Sequence, residues 1–179
     1  RAEAWRDRAW ALASGLWMAI SLPLAFLGRE LFSGGWTEPL ALLGLVPLIS
    51  RLRRVDAKRA FRLAWLAGLI YFALTLSWLD VALTTFGHLP RVVGIPVLLL
   101  LVAFLALFWA LPCWAAVKMR ARMGLALHLS LPVFWVAAEF ARNYVLTGFP
   151  WAGLGTTQVR SLWLAQLASL GGVYLVAYA

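Results

Sequence analysis

From position 92 to position 117 the chain runs through 26 residues without one charged side chain. A helix of that length covers about 39 Å, against roughly 30 Å of hydrocarbon in a bilayer. Five further apolar runs, at 9–28, 31–50, 63–86, 123–146 and 161–179, repeat the pattern. Hydrophobic residues make up 64% of the 179 positions, charged ones 13%, and there are eleven tryptophans. A soluble domain of this size needs more polar surface, so the composition points to lipid as the solvent. The expected fold is all-α, an integral membrane bundle of about six transmembrane helices in one domain.

The runs are not equally clean. That at 31–50 carries Gly34, Gly35, Glu38 and Pro39 near its start and is expected to open in a broken turn. The run at 63–86 continues past Asp80, and that at 123–146 contains Glu139 and Arg142. Arg6 and Arg8 precede 9–28 as they would a signal peptide. No small-x-small cleavage site follows Leu27 and further spans come after it, so a span is expected.

The formal charge of +9 raises the question of nucleic acid. The basic residues, however, fall into short clusters separated by membrane-length runs, not into one stripe, and no nucleic-acid partner is expected. Arg1, Arg6, Arg8, Arg51, Arg53, Arg54, Lys58, Arg59, Arg62, Lys118, Arg120 and Arg122 fall on one side of the alternating spans. Arg29, Arg91, Arg142 and Arg160 fall on the other. Twelve against four predicts a cytoplasmic N-terminus. The 51–62 cluster is also suited to anionic lipid head groups, although orientation alone accounts for it.

Single residues narrow the chemistry. Cys113 is the one cysteine, so no internal disulfide framework exists, and its apolar surroundings predict a buried side chain without a base or water beside it. His88 reads as a solvated loop residue. No His or Cys partner stands at a ligand spacing, and neither metal nor other cofactor is expected. Asp80 and Glu139 lie at nearly equal depth, about 25 Å from the inner ends of their spans. Near a membrane boundary a carboxylate is tolerable but still needs partners. Glu139 and Arg142, three apart on a helix, share a face and can pair, either as a structural ion pair or as the rim of a cavity admitting a lipid head group.

Two loops, 86–90 and 148–155, are expected at the outer face. The second lies within "LTGFPWAGLG". Pro150 is expected to end the helical register and to hold Phe149 extended. Gly148, Gly153 and Gly155 permit tight turning or close approach. Trp151 suits a membrane interface, where membrane proteins in general place such an anchor.

Three stretches taken together resemble one family. "GLIYFALTLSWLDVALTTFGHLP", "LPVFWVAAEFARNYVLTGFPWAGLG", and Gln158 followed by "GGVY" are similar to the membrane region of bacterial apolipoprotein N-acyltransferase. The likeness rests on W-x₇-FG-x-xP followed by E-x-x-R-x₅-GFPW and is faint over the first 60 residues. It implies an inner-membrane enzyme with eight transmembrane helices and a periplasmic nitrilase-like domain. Such an enzyme takes an acyl chain from a phospholipid, typically phosphatidylethanolamine, onto a cysteine as a thioester. It then passes the chain to the amino group of the diacylglyceryl-cysteine of a lipoprotein. The Glu-Lys-Cys triad belongs to the nitrilase domain. Neither Cys113 nor Glu139 corresponds to it, so this chain is expected to be a fragment, inactive alone. The resemblance places Trp151 beside the lipid-substrate entrance, with Gly148, Phe149 and Pro150 as its scaffold and Glu139 and Arg142 in support. Loops 86–90 and 148–155 are then expected to form a floor on which donor and acceptor dock.

Two other classes fit parts of the pattern. A related membrane module works with a polyprenol-phosphate mannose synthase. A small transporter would need ionisable groups at mid-membrane or repeated broken helices, whereas these carboxylates lie near one edge.

Overall fold

The computed structural model of the chain describes residues 2–27, 43–158 and 161–178. Helix α1, Ala2–Leu27, begins two turns before the expected run, so Glu3, Arg6, Asp7 and Arg8 form its polar foot. The start of the 31–50 run, with its expected broken turn, lies outside the described residues; its end forms α2, Val46–Leu52. Helix α3, Ala57–Thr75, starts where the Asp56 carboxylate accepts the Lys58 N–H at 3.2 Å, an N-cap that satisfies one orphan amide. A short helix α4, Leu79–Val81, runs on into a π-helical turn, Ala82–Phe86. Helices α5, Arg91–Met123, and α6, Leu127–Arg142, follow. Two pieces close the chain, α7, Leu162–Ala165, and α8, Ala168–Tyr178. No strand occurs among the described residues, so the chain is all-α.

Several boundaries differ from the apolar runs. The run at 63–86 is not one rod: the axes of α3 and of Leu79–Phe86 differ by 60°. The run at 92–117 is extended at both ends into a 33-residue helix that passes through Pro96 and Pro112 and stops at Gly124, whose φ of 68° forms a left-handed cap. The run at 123–146 keeps only 16 α-helical residues. At 161–179 the helix is interrupted at Gly171 and Gly172, where φ of Gly172 is 66°. Among the described residues, α5 is the one helix long and apolar enough to cross a membrane, and the bent pair makes a second if counted as one span.

Small residues set the packing. Ala60, Ala64 and Ala67 on α3 and Ala11 and Ser14 on α1 are almost completely buried, which lets the two backbones approach closely. The closest point is Gly15, where an added Cβ would stand 2.3 Å from the Ala67 carbonyl oxygen. Gly15→Ala is therefore expected to cost about 1–3 kcal/mol in strain, toward the upper end because a backbone carbonyl cannot swing aside. That exceeds the roughly 1 kcal/mol alanine gains in helix propensity. Thermal unfolding in detergent checks it, with a lowered midpoint expected.

The other face of α3 packs on α5. Gly68 lies against Ala106 and Trp109, and the Trp65 indole donates to the Ala103 carbonyl at 3.2 Å. At the foot of the bundle Asp7, only 5% exposed, pairs with Arg59 at 2.6 Å and Arg51 at 3.4 Å, tying α1, α2 and α3 together. The alignment of α3 against α5 then carries an aromatic core upward, and that core supports the loop after α6.

Candidate functional site

Tyr71 stacks on Trp109 at 4.9 Å between centroids, and Trp109 packs on Trp135 at 5.2 Å. Phe72 meets Tyr71 edge-on at 5.0 Å. These rings come from α3, α5 and α6 and form a rigid platform. Above it lie Glu139 and Arg142, one turn apart on α6 and both buried, at 9% and 3% exposure.

The two do not form a direct ion pair, contrary to what their spacing suggests. Each is engaged elsewhere. The Glu139 Oε1 accepts the Leu154 N–H at 2.7 Å and the Trp135 indole N–H at 3.3 Å. The Arg142 guanidinium stands over the Phe72 ring, 5.7 Å from its centroid, within cation–π range. Gly153 sits between them: a Cβ there would lie 3.6 Å from both Glu139 Oε2 and Arg142 Nη2. The charges thus balance each other across the loop backbone.

That loop is held in an unusual conformation. Leu146, Thr147 and Gly148 have consecutive φ values of 51°, 74° and 85°, and Ala152 has 60°. Non-glycine residues in the left-handed region each cost about 1–3 kcal/mol and persist only where surrounding bonds enforce them. Three bonds do so here. The Phe149 N–H donates to the Arg142 carbonyl at 3.0 Å, the Tyr71 hydroxyl donates to the Ala152 carbonyl at 3.1 Å, and Leu154 is fixed on Glu139. Helix α6 has already ended at Arg142, so Pro150 does not terminate it as the sequence suggested. The turn is made earlier, by the left-handed residues.

With Ala152 and Leu154 pinned inward, Trp151 is turned outward, 57% exposed, with Phe149 against it at 5.2 Å and Pro150 exposed between them. Tyr144 and Leu146 extend the same exposed rim. Beyond the loop, the turn Gly155–Gln158 packs on α8, and the Asn143 side-chain amide donates to the Tyr174 hydroxyl. The structure therefore brings together Gly148, Phe149, Pro150, Trp151, Glu139 and Arg142 as one unit. The 86–90 loop is organised separately: Asp80 pairs with Arg91 at 3.6 Å, and Phe86 is exposed.

Sequence reading missed Trp135 and Tyr71. Trp135 stands four residues before Glu139 on one helix face, a spacing that could have revealed it. Tyr71 lies 81 residues from the carbonyl it holds, and no local signal marks it. Cys113 is buried as expected and lines an apolar cavity of about 100 Å³ with Leu48, Leu131, Trp135 and Leu154. The carboxylate is committed to structure, whereas the buried Arg142 guanidinium rests on the Phe72 ring with its Nε lacking a hydrogen-bond partner, and the exposed face of the unit is apolar and aromatic.

These features define an all-helical, strongly apolar domain that presents a pinned aromatic loop. Residues 35–179 match the family described as apolipoprotein N-acyltransferase N-terminal domain. The chain is 38% identical over 173 residues to the apolipoprotein N-acyltransferase of Geobacter metallireducens, which covers 97% of this chain and 31% of that protein. It is 37% identical to that of Chromobacterium violaceum, over 93% of this chain and 31% of the relative. Identity to that of Vibrio cholerae is 35%, over 89% and 30% respectively. The chain belongs to the apolipoprotein N-acyltransferase family, and it spans about 30% of the length of these curated relatives.

Proposed function

We propose that this chain is the lipid-embedded domain of an apolipoprotein N-acyltransferase of the bacterial inner membrane, multi-pass with a cytoplasmic N-terminus. Its pinned loop receives substrate on the periplasmic side. The activity is that of the whole enzyme. A phospholipid of phosphatidylethanolamine type gives its acyl chain to a cysteine in a nitrilase-like domain, and the thioester then acylates the amino group of a diacylglyceryl-lipoprotein. Residues 1–179 serve as the platform and contribute no catalytic residue.

Two features support the setting. Only 28% of the most apolar stretch of α5 is buried inside the protein, whereas the core helix of a soluble domain would be enclosed. The carboxylates of the described spans lie toward one end or inside the bundle, as lipid solvation requires.

The single structural observation carrying the substrate role is Trp151, held outward by backbone that Glu139 and Tyr71 pin from beneath. An exposed indole on a rigid turn offers large apolar area at little entropic cost, suited to an acyl chain or glyceryl moiety. Arg142 and Glu139 support it indirectly by fixing the loop. Trp151→Ala in the full-length enzyme is expected to slow thioester formation, transfer or both by about 30-fold, the usual weight of a central aromatic contact. The two steps are followed separately, with labelled phosphatidylethanolamine and with a diacylglyceryl peptide. Trp5→Ala, an exposed tryptophan at the polar foot of α1, serves as the control. Wild-type rates in both steps for Trp151→Ala refute the role.

A further inference from the structure

At the other end of α3, roughly 20 Å along the helix from Tyr71, lies a second site. Lys58, Phe61 and Arg62 stand on one face of the first turns of α3, and Leu111 and Trp114 face them from α5. They border an open, shallow cleft of about 510 Å³. Lys118, one turn beyond Trp114, places its Nζ over the Trp114 ring at 4.2 Å, which ties this ammonium to a ring that lines the cleft.

Charge accounting separates these cations from their neighbours. Arg51 and Arg59 share the Asp7 carboxylate, Arg6 is paired with Glu3, and Arg120 donates to the Val55 carbonyl. Asp56 caps α3 and lines the adjoining groove with Arg8, Arg59 and Arg62, so Arg62 stands on the ridge between that groove and the cleft without forming an ion pair to Asp56. Among the described residues Lys58, Arg62 and Lys118 pair with no carboxylate, although the cleft between them is lined by rings and aliphatic carbon. Leu111 is half exposed and lies about 10 Å deeper along α5 than Lys118. The cleft therefore grades from cationic mouth to apolar floor.

We propose that this cleft binds one anionic phospholipid, its phosphate held by Arg62, Lys58 and Lys118 and its acyl chain lying along Leu111. Arg62 offers a fork that matches phosphate oxygens, and the lysines add point charges. A basic pocket between helices at the cytoplasmic face is the arrangement that retains acidic head groups. The inference rests on the membrane-embedded reading with this end in the cytoplasmic leaflet. The site is distinct from the Trp151 loop and serves to anchor the platform.

The test uses the full-length protein in phosphatidylcholine nanodiscs containing a minor fraction of phosphatidylglycerol, with protein-bound lipid counted by native mass spectrometry. Wild type is expected to retain phosphatidylglycerol. Arg62→Gln with Lys118→Gln is expected to weaken retention about 30-fold, at roughly fivefold per cation. Arg62→Lys with Lys118→Arg should keep most of it. Arg53→Gln with Arg54→Gln removes two exposed charges outside the cleft and should leave retention unchanged. Equal loss in both glutamine pairs means a diffuse field and overturns the site. So does absence of enrichment in wild type, or displacement of the lipid by millimolar inorganic phosphate, which would mark a free-phosphate site. Protein that does not enter the discs refutes the membrane reading itself, whereas inserted protein without enrichment refutes only the cleft.

Discussion

Glu139→Ala is expected to be among the most damaging single substitutions in this chain. It removes the acceptor of the Leu154 N–H and of the Trp135 indole, and it leaves Arg142 buried without its counter-charge. Removing one member of a buried charged pair costs about 3–5 kcal/mol, most of it the penalty of the charge left behind. For a domain of this size that is on the order of 10 °C in unfolding midpoint. Glu139→Gln separates the two contributions. Its amide oxygen still accepts from Leu154, so the loop should stay in place, but Arg142 remains uncompensated. An intermediate midpoint is expected, with near-normal protection of the Leu154 amide in hydrogen exchange. Glu139→Ala should lose both. If Glu139→Ala unfolds at the wild-type temperature, the carboxylate does not organise the loop, and the support for Trp151 must come from Tyr71 and the Phe149–Arg142 backbone bond.

That prediction shows where sequence reasoning reached and where it stopped. A helical face was enough to place Glu139 beside Arg142, because residues three apart share one side of any α-helix. It could not reveal that each prefers another partner, since the Leu154 N–H is a backbone group that reaches Glu139 only after the chain has turned through left-handed residues. The glycines and Pro150 announced a turn. They did not announce that Leu146 and Thr147 would adopt positive φ, a conformation forced by tertiary bonds against local preference.

The helices were legible to different depths for similar reasons. The apolar body of α5 followed from a run bounded by charge, although the helix continues through Lys118, Arg120 and Arg122 to Met123, and Pro96 and Pro112 did not break it, as apolar helices supported by neighbours allow. The bend after Thr75 carries no glycine or proline. There the Ser77 hydroxyl donates to the Leu74 carbonyl and offers the backbone an alternative bond, a signal too weak to read beforehand. The break at Gly171 and Gly172 was legible in principle, because paired glycines interrupt helices readily. The aromatic platform was not, as its rings come from three helices whose alignment no local pattern specifies.

The second large effect is expected from the loop glycines, and it differs sharply among them. At Gly155 an added Cβ would stand 2.3 Å from the Val173 carbonyl oxygen and 2.8 Å from Val173 Cγ2. Neither a carbonyl nor a β-branched side chain can yield, so Gly155→Ala must push α8 off the Gly155–Gln158 turn. Overpacking costs about 1–3 kcal/mol when neighbours adjust, and lost contact between elements adds to it. Gly148→Ala meets two obstacles, a φ of 85° and an Asn143 oxygen 2.1 Å from the new Cβ. Gly153→Ala meets neither, since its nearest atoms lie at 3.6 Å, ordinary van der Waals distance. The expected order of unfolding midpoints is therefore wild type close to Gly153→Ala, with Gly148→Ala and Gly155→Ala well below. The two low variants should also differ in kind. Gly148→Ala should release the Phe149–Trp151 segment, seen as increased quenching of Trp151 by a water-soluble quencher. Gly155→Ala should disturb Tyr174 on α8 and weaken its bond to Asn143. Equal tolerance of alanine at all three positions would mean that α8 and the loop are not packed against each other as described. The aromatic surface would then lack the rigidity on which the proposed binding role depends.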